Sequence, residues 1–237
     1  MRYPFSYNLS VIKDLGEIIL VRAEFHCHTI FSKDSLTRPA DLLETCRHRG
    51  IDRLAVTDHN TLAGALAARR LDPDRVIVGE EIMTARGELL AFFVQEEVPR
   101  GLPPLVAIRR LRQQGAFISV SHPFDSARNG AWALQDLLEI TPLVDALETF
   151  NSRCAGPRPN LMAQAFAIEH NLPGTVGSDA HILWEVGRST LLLEDFKDAG
   201  ELRTSIRQAQ ASQTASPFWV HFASTYARLY KRMNHPK

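Results

Sequence analysis

The stretch EFHCHTIFSKDS, residues 24–35, sets His26 and His28 on either side of Cys27 where an apolar run ends, with Asp34 six residues after the second histidine. Alternate side chains of an extended segment share a face, so His26 and His28 point one way and Cys27 the other. Two imidazoles at one strand tip can bind a single metal ion, or they can simply be packed or solvated histidines. Cys27 reads as a small buried apolar side chain rather than a ligand. The same pattern, an apolar run with a polar tip, recurs along the chain. LAVTDHNT ends in Asp58 and His59, a pair that also fits a turn, with Asn60 or Thr61 as a helix cap. VIVGEEIMT carries Glu80 and Glu81, two carboxylates that are costly to bury without a cation. ISVSHPFD delivers His122 directly before Pro123, and DALETFN holds Glu148 inside an apolar run just ahead of Asn151. PGTVGSDAHI sets Asp179 and His181 two residues apart, with Gly177 and Ser178 giving the backbone room to turn.

The elements that must position these groups alternate. Strands are expected at 22–26, 53–57, 76–82, 88–94, 116–121, 146–149, 174–177 and 189–193. Helices are expected at 39–49, 62–71, 104–114, 132–139 and 160–170, several opened by proline or closed by glycine. Such βα repetition implies a mostly parallel sheet, open or closed into a barrel, in which the C-terminal strand ends converge on one face. Histidines and carboxylates meeting there would repel or dehydrate one another unless cations sat among them. Nitrogen and oxygen donors without thiolate suit Zn, Mn or Fe, and more than four ligands implies more than one ion.

With 237 residues, 45% of them apolar and 23% charged, the chain matches one barrel-sized globular domain, expected over residues 22–237 behind an extension at 1–21. A formal net charge of zero gives no sign of steering toward nucleic acid or membrane, and no apolar run is long enough to span a bilayer. Cys27, Cys46 and Cys154 are odd in number and irregularly spaced, which fits a reducing cytoplasm better than a disulfide framework. At the C-terminal end, Ser216 and Pro217 suit a helix start. Trp219, Phe222, Tyr226, Leu229 and Met233 form an apolar stripe that is expected to seal the barrel, or else to bind a partner.

Taken in order, H-x-H-T with a following Asp, T-D-H-N-T, G-x-E, S-H-P and G-S-D-A-H resemble the PHP (polymerase and histidinol phosphatase) family across residues 22–195. The resemblance implies a distorted (β/α)7 barrel, two or three divalent ions at its C-terminal face, and hydrolysis of phosphoesters. It assigns His26, His28, Glu81 and Asp179 to a first ion. Glu81 would bridge to a second held with His122, and Asp34, His59 and His181 would hold the third. Glu81, Asp179 and His122 would form the catalytic core, with Asp58 orienting His59 from behind and Glu148 in support. One departure stands out: Leu90, in ARGELLAFFV, occupies about the place where many phosphatases of the family have a histidine for the second ion, and Glu88 lies near it.

The implied chemistry is in-line attack on phosphorus by a metal-bridging hydroxide. Arg153 and Arg188, ahead of Arg158, are the candidate guanidiniums for phosphate, with Asn151 as a hydrogen-bond donor. Trp132 and Trp184 could stack on a base or belong to the core. A small phosphomonoester is the expected substrate: a nucleotide, a nucleoside bisphosphate, or a sugar or amino-alcohol phosphate. A short oligonucleotide is the alternative substrate, and two further alternatives are an amidohydrolase and a non-catalytic partner module.

Overall fold

The computed structural model describes residues 18–234. One sheet holds β1 (Leu20–Cys27), β2 (Arg53–Val56), β3 (Val76–Met83), β4 (Glu88–Phe92), β5 (Phe117–Val120), β6 (Ala146–Asn151), β7 (Gly174–Gly177), β8 (Ser189–Glu194) and β9 (Gln210–Gln213). Its order is β7-β6-β5-β4-β3-β2-β1-β8-β9. The sheet curls until Cys27 bridges Ala180 and the His28 amide donates to the Ala180 carbonyl at 2.9 Å, which nearly closes a barrel between β1 and the end of β7. Helices α1 (Pro39–His48), α2 (Ala63–Leu71), α3 (Pro104–Gln113), α4 (Leu134–Ile140), α5 (Arg158–Glu169) and α6 (Ala199–Ser205) fill most of the connections, and α7 (Val220–Asn234) follows the last strand. β1 begins at Leu20, inside the stretch 1–21 expected as an extension, and Leu20 pairs with Glu194. Residues 1–17 lie outside the described residues.

The sheet is less uniformly parallel than the βα repeat implies. β1, β2 and β3 are parallel, and so are β5, β6 and β7, but β4 runs antiparallel to both of its neighbours. A tight turn replaces the crossover helix between β3 and β4: Thr84 N and Oγ1 both donate to the Gly87 carbonyl. Gly87 has to lack a side chain, since a Cβ there would lie 2.3 Å from the Trp132 ring. Trp132 is itself core, buried and donating Nε1–H to the Glu88 carbonyl at 2.9 Å. β8 is antiparallel to β1, and β9 adds a further antiparallel edge.

Strand alternation splits the apolar residues into two layers. Phe25, Leu90, Phe92, Phe117 and Val176 pack inside the barrel, with Phe25 and Phe117 at 5.2 and 5.8 Å from the Phe92 ring centroid. Leu54, Val56, Ile82 and Ile118 face outward onto Leu42, Ala65, Leu111 and the other inner helix faces. Each such fully buried side chain is worth about 1.5–3 kcal/mol relative to exposure.

α7 overturns the expected sealing stripe. Its buried face is small, made of Val220, Ser224 and Ala227, while Trp219, Phe222, Tyr226, Leu229 and Met233 are exposed, Met233 to 72%. The helix is held by polar bonds instead. Arg153 Nη2 donates to the Val220 carbonyl at 3.0 Å and to Ser224 Oγ at 2.7 Å, and Lys231 Nζ donates to the carbonyls of Ile30 and Ser32. Small residues permit the close approach these bonds require. No helix among the described residues is long and apolar enough to cross a membrane.

Candidate metal centre

His26 and His28 reach the barrel interior through an irregularity in β1. Glu24 pairs with Leu54 and Cys27 with Val56, so two residues of β1 oppose one of β2. This bulge lets His26 follow Phe25 into the interior and restores the outward direction of Cys27, which packs in the outer core. β3 needs no such device. Ile77 and Glu81 face inward by simple alternation, while Glu80 faces outward, where it accepts from Val98 N at 3.1 Å and burial raises its pKa to about 7. In β6, a register shift between Glu148 and Phe150 brings Glu148 and Asn151 to the same side, where Asn151 Nδ2 donates to Glu148 Oε2 at 3.1 Å. Asp179 sits just past β7 with φ at 52°, a left-handed conformation that costs a non-glycine residue energy. Gly177 permits the close packing beneath it, because a Cβ there would lie 2.3 Å from that of His26.

Glu81 is the hub. Its Oε1 lies 3.4 Å from His26 Nε2 and 3.1 Å from His122 Nε2, and it accepts from Ser121 Oγ at 2.8 Å. Its Oε2 lies 3.4 Å from His28 Nε2 and 2.9 Å from His59 Nδ1. Asp179 Oδ1 stands 3.1 Å from His28 Nε2 and 3.6 Å from His26 Nε2. On the far side, Asp34 Oδ1 lies 3.5 Å from His59 Nε2 and 3.4 Å from His181 Nε2. Donors bound at ~2.0–2.2 Å around one ion lie roughly 3.0–3.5 Å apart, so these spacings suit shared ions. His26 Nε2, His28 Nε2, Asp34 Oδ1 and Glu81 Oε2 are buried without a hydrogen-bond partner among the described residues. Unsatisfied buried polar atoms of this kind cost about 1–3 kcal/mol each, so the donor set fits divalent cations.

Groups behind the cluster set the imidazole tautomers. His26 Nδ1–H donates to Glu148 Oε1 at 2.8 Å, leaving the Nε2 lone pair toward the hub. Ser32 Oγ donates to Asp58 Oδ1 and can accept from both His28 Nδ1 at 3.1 Å and the His59 amide at 3.0 Å. Asp58 therefore acts differently from the sequence expectation: it grips Thr29 and Ser32, and through Ser32 it orients His28 rather than the His59 ring. For His181, the Asp179 carbonyl at 2.8 Å can take the Nδ1 proton, whereas Arg153 Nη1 at 2.6 Å can only donate. A metal on Nε2 requires the first arrangement.

Without a cation, protons balance the charge. Burial opposes a charge on His26, but Glu148, Glu81 and Asp179 outweigh burial and hold its pKa well above the usual imidazole value. His59 is likewise raised to about 9, burial being outweighed chiefly by Glu81. His28 falls to about 3 through burial and the neighbouring His181 and His59. Burial pushes Glu81 and Asp179 up, but surrounding cations, His26 for the first and Arg128 for the second, hold both well below the carboxylate range.

One correction concerns the candidate second ion and another the arginines. Leu90 lies directly across the β3–β4 pair from Glu81, beneath the cluster. It is buried in the inner apolar layer, and the residue that reaches the cluster is Glu88. Glu88 lies 3.6 Å from His122 Nε2 and 3.9 Å from His59 Nδ1, forming a potential ligand group with His59 and Glu81. Because β4 is antiparallel, its N-terminal end lies at the face where the other strands end, and a search of C-terminal tips alone passes over it. The arginines also differ from expectation. Arg188 points away, over the Trp184 ring and onto the Ala215 carbonyl, and Arg158 is exposed at the start of α5. Arg153 is buried behind His181, paired with Glu185 at 3.1 Å. The guanidinium touching the carboxylate cluster is Arg128, which pairs with Asp179 and with Asp125 and stands 3.5 Å from Asn151 Oδ1. It lies in an irregular loop with no motif around it to mark it in the sequence.

Comparison with known proteins places this geometry. The family described as PHP domain matches residues 24–102, and the one described as PHP-associated matches residues 157–211. An uncharacterized protein of Methanocaldococcus jannaschii is 39% identical over 180 residues, covering 74% of this chain and 72% of that protein. A two-domain protein from Bacteroides vulgatus containing a predicted PHP-like metal-dependent phosphoesterase matches with a TM-score of 0.67 at 18% identity, over 83% of this chain and 66% of its own. This chain thus spans slightly less than two thirds of that protein. The lesion-specific endonuclease of Pyrococcus furiosus matches with a TM-score of 0.56 at 17% identity, over 80% of this chain and 56% of its own. At these identities the solved structures show a shared fold. The two family matches take in more than half of the sequence, over a barrel whose polar strand ends meet at Glu81, and the chain belongs to the PHP domain family.

Proposed function

We propose that the protein is a metal-dependent phosphoesterase that hydrolyses a small phosphomonoester with two or three divalent ions, Zn, Mn or Fe. The observation that carries this reading is the set of unpartnered buried donors converging on Glu81. His26, His28, Glu81 and Asp179 would hold one ion, and Glu81, His122 and Glu88 a second. Asp34, His59 and His181 would hold the third. When bound, such ions supply Lewis acidity at phosphoryl oxygens and a water acidified to serve as nucleophile.

The chain's own groups do the rest. Glu148 and Ser32 keep the Nδ1 protons of His26 and His28, so each ring offers a lone pair without reorganising. Arg128 and Asn151 both contact Asp179 Oδ2, on the side away from His28; Asn151 spends its two N–H groups on Asp179 and Glu148, so Arg128 is the one of the pair with N–H donors left where phosphoryl charge develops. Phosphate release from a panel of phosphomonoesters and diesters, before and after chelation and metal return, tests the reading. Turnover should depend on the returned metal. Asp179→Ala should lower it on the order of 10²–10³-fold and reduce the bound-metal count. Full metal occupancy with undiminished activity in that variant would defeat the ligand assignment. No turnover by metal-loaded protein would favour a binding module.

A further inference from the structure

A pocket of about 610 Å³ opens beside the cluster, with His59 and Glu88 in its lining. Its walls carry Lys33, Arg100, Arg228, Lys231 and Arg232, and the last three come from α7. Lys231 is spent on the carbonyls of Ile30 and Ser32, which fixes α7 against the loop after His28. The other four cations make no ion pair among the described residues. Each of the four is exposed. Like charges gathered on one concave wall repel one another and raise the local concentration of anions. Phe31, 47% exposed, and Tyr230, 42% exposed, line the same pocket and supply flat apolar surface to it. The volume is that of a nucleotide-sized ligand pocket. A monoester whose only charge is the scissile phosphate would leave this wall unused.

We infer that the basic wall formed by Arg228 and Arg232 of α7 with Lys33 and Arg100 binds a second phosphate of the substrate while the scissile one lies at the cluster. This deepens the phosphoesterase reading and rests on it. The second phosphate can be the other monoester of a bisphosphorylated small molecule or the neighbouring diester of a short oligonucleotide. It also gives α7 a function: a helix that keeps its apolar stripe out of the barrel turns a cationic edge toward the site.

The test compares a nucleoside bisphosphate, the matching nucleoside monophosphate and a 5′-phosphorylated dinucleotide, in turnover by the metal-loaded protein and, as slowly hydrolysed phosphorothioates, in direct binding to the same metal-loaded protein. Binding of the bisphosphate should be tighter than that of the monophosphate by at least about 10-fold, as expected for charged hydrogen bonds, and should weaken with added salt. In the double variant Arg228→Gln/Arg232→Gln, KM for the bisphosphate should rise by a similar factor, kcat should hold within about twofold, and the discrimination should collapse toward unity. Preference for the dinucleotide over the bisphosphate, lost in the same variant, would assign the wall to a diester. Equal binding of mono- and bisphosphate, or equal losses for both in the variant, would overturn the inference. Absence of turnover with every metal would instead overturn the phosphoesterase reading, and the binding arm would then decide the wall alone.

Discussion

Asp145, just before β6, and Glu81, at the other end of the barrel, are both carboxylates covered by protein, and the chain compensates them differently. Asp145 accepts from Arg112 Nη1 at 2.7 Å, Arg203 Nε at 3.0 Å and Ile118 N at 2.8 Å. Glu81 meets a serine and four histidines, with Glu88 and Asp179 close by, and keeps a buried oxygen without a hydrogen-bond partner among the described residues. At one end the sequence supplies its own cations. At the other it assembles more anionic and lone-pair donors than its arginines can satisfy, a state that a divalent ion stabilises. Between them lies a mainly aromatic and aliphatic layer, one residue away from a candidate ligand: Phe25 beside His26.

The sharpest break between layer and centre is Phe117→Ala. It should cost about 3–5 kcal/mol in urea melts, from lost burial and the cavity left behind, while the metal count per folded chain stays the same. A loss of metal in proportion to stability would mean that the two layers are one unit. Next comes Glu88→Gln, at the centre's edge. It should weaken one metal by about 10–100-fold in competition titrations and leave the others bound. Unchanged affinities at every site would remove Glu88 from the ligand set.

Leu90→His sharpens the same comparison from below. An imidazole there replaces apolar packing against Phe92 and Phe117 across from Glu81 and Ser119, and it is Glu88 that reaches His59 and His122, so stability should fall by about 1–3 kcal/mol with no gain in metal affinity. A tighter second ion would show that position 90 reaches the centre after all. The smallest effect belongs to the self-compensated end. Burial raises the Asp145 pKa, but hydrogen bonds from Arg203, Arg112 and Ile118 N outweigh it and hold the pKa below the usual carboxylate value. A depressed folded pKa stabilises fully above the unfolded value near ~3.9, and the benefit is lost as pH falls through the folded value. Asp145→Asn should therefore cost under about 1 kcal/mol at neutral pH, the partly exposed arginines being screened, and progressively less in acid. Melts at pH 7 and about pH 2.5 that showed the same gap would refute it.

Much of the candidate ligand set was legible because most of its members follow an apolar run, Asp34 alone coming from the loop after β1, and strand ends in a βα repeat must converge. His26, His28, Asp34, His59, Glu81, His122, Asp179 and His181 all lie where that argument sends them. Glu88 was harder to read. Its strand reverses, and strand direction depends on whether a tight turn or a crossover precedes it, which the period-2 pattern does not encode. Arg128 was not legible at all, since a loop arginine carries no periodicity.

The sequence by itself determined most of the layers: eight of the nine strands, β9 and α6 being passed over, the polar tips of those strands, and a gathering of imidazoles and carboxylates suited to cations. These follow from local pattern and from the cost of burying charge, neither of which depends on the rest of the chain. The tertiary structure decided direction and parity. The β1 bulge turns His26 inward beside Phe25, the reversed β4 brings in Glu88, and α7 docks on Val220, Ser224 and Ala227 with its aromatic stripe outward. Each of these is settled by which neighbour a segment packs against, and a stripe of apolar residues cannot specify that when a smaller face fits the available space and brings Lys231 and Arg153 to their carbonyl partners.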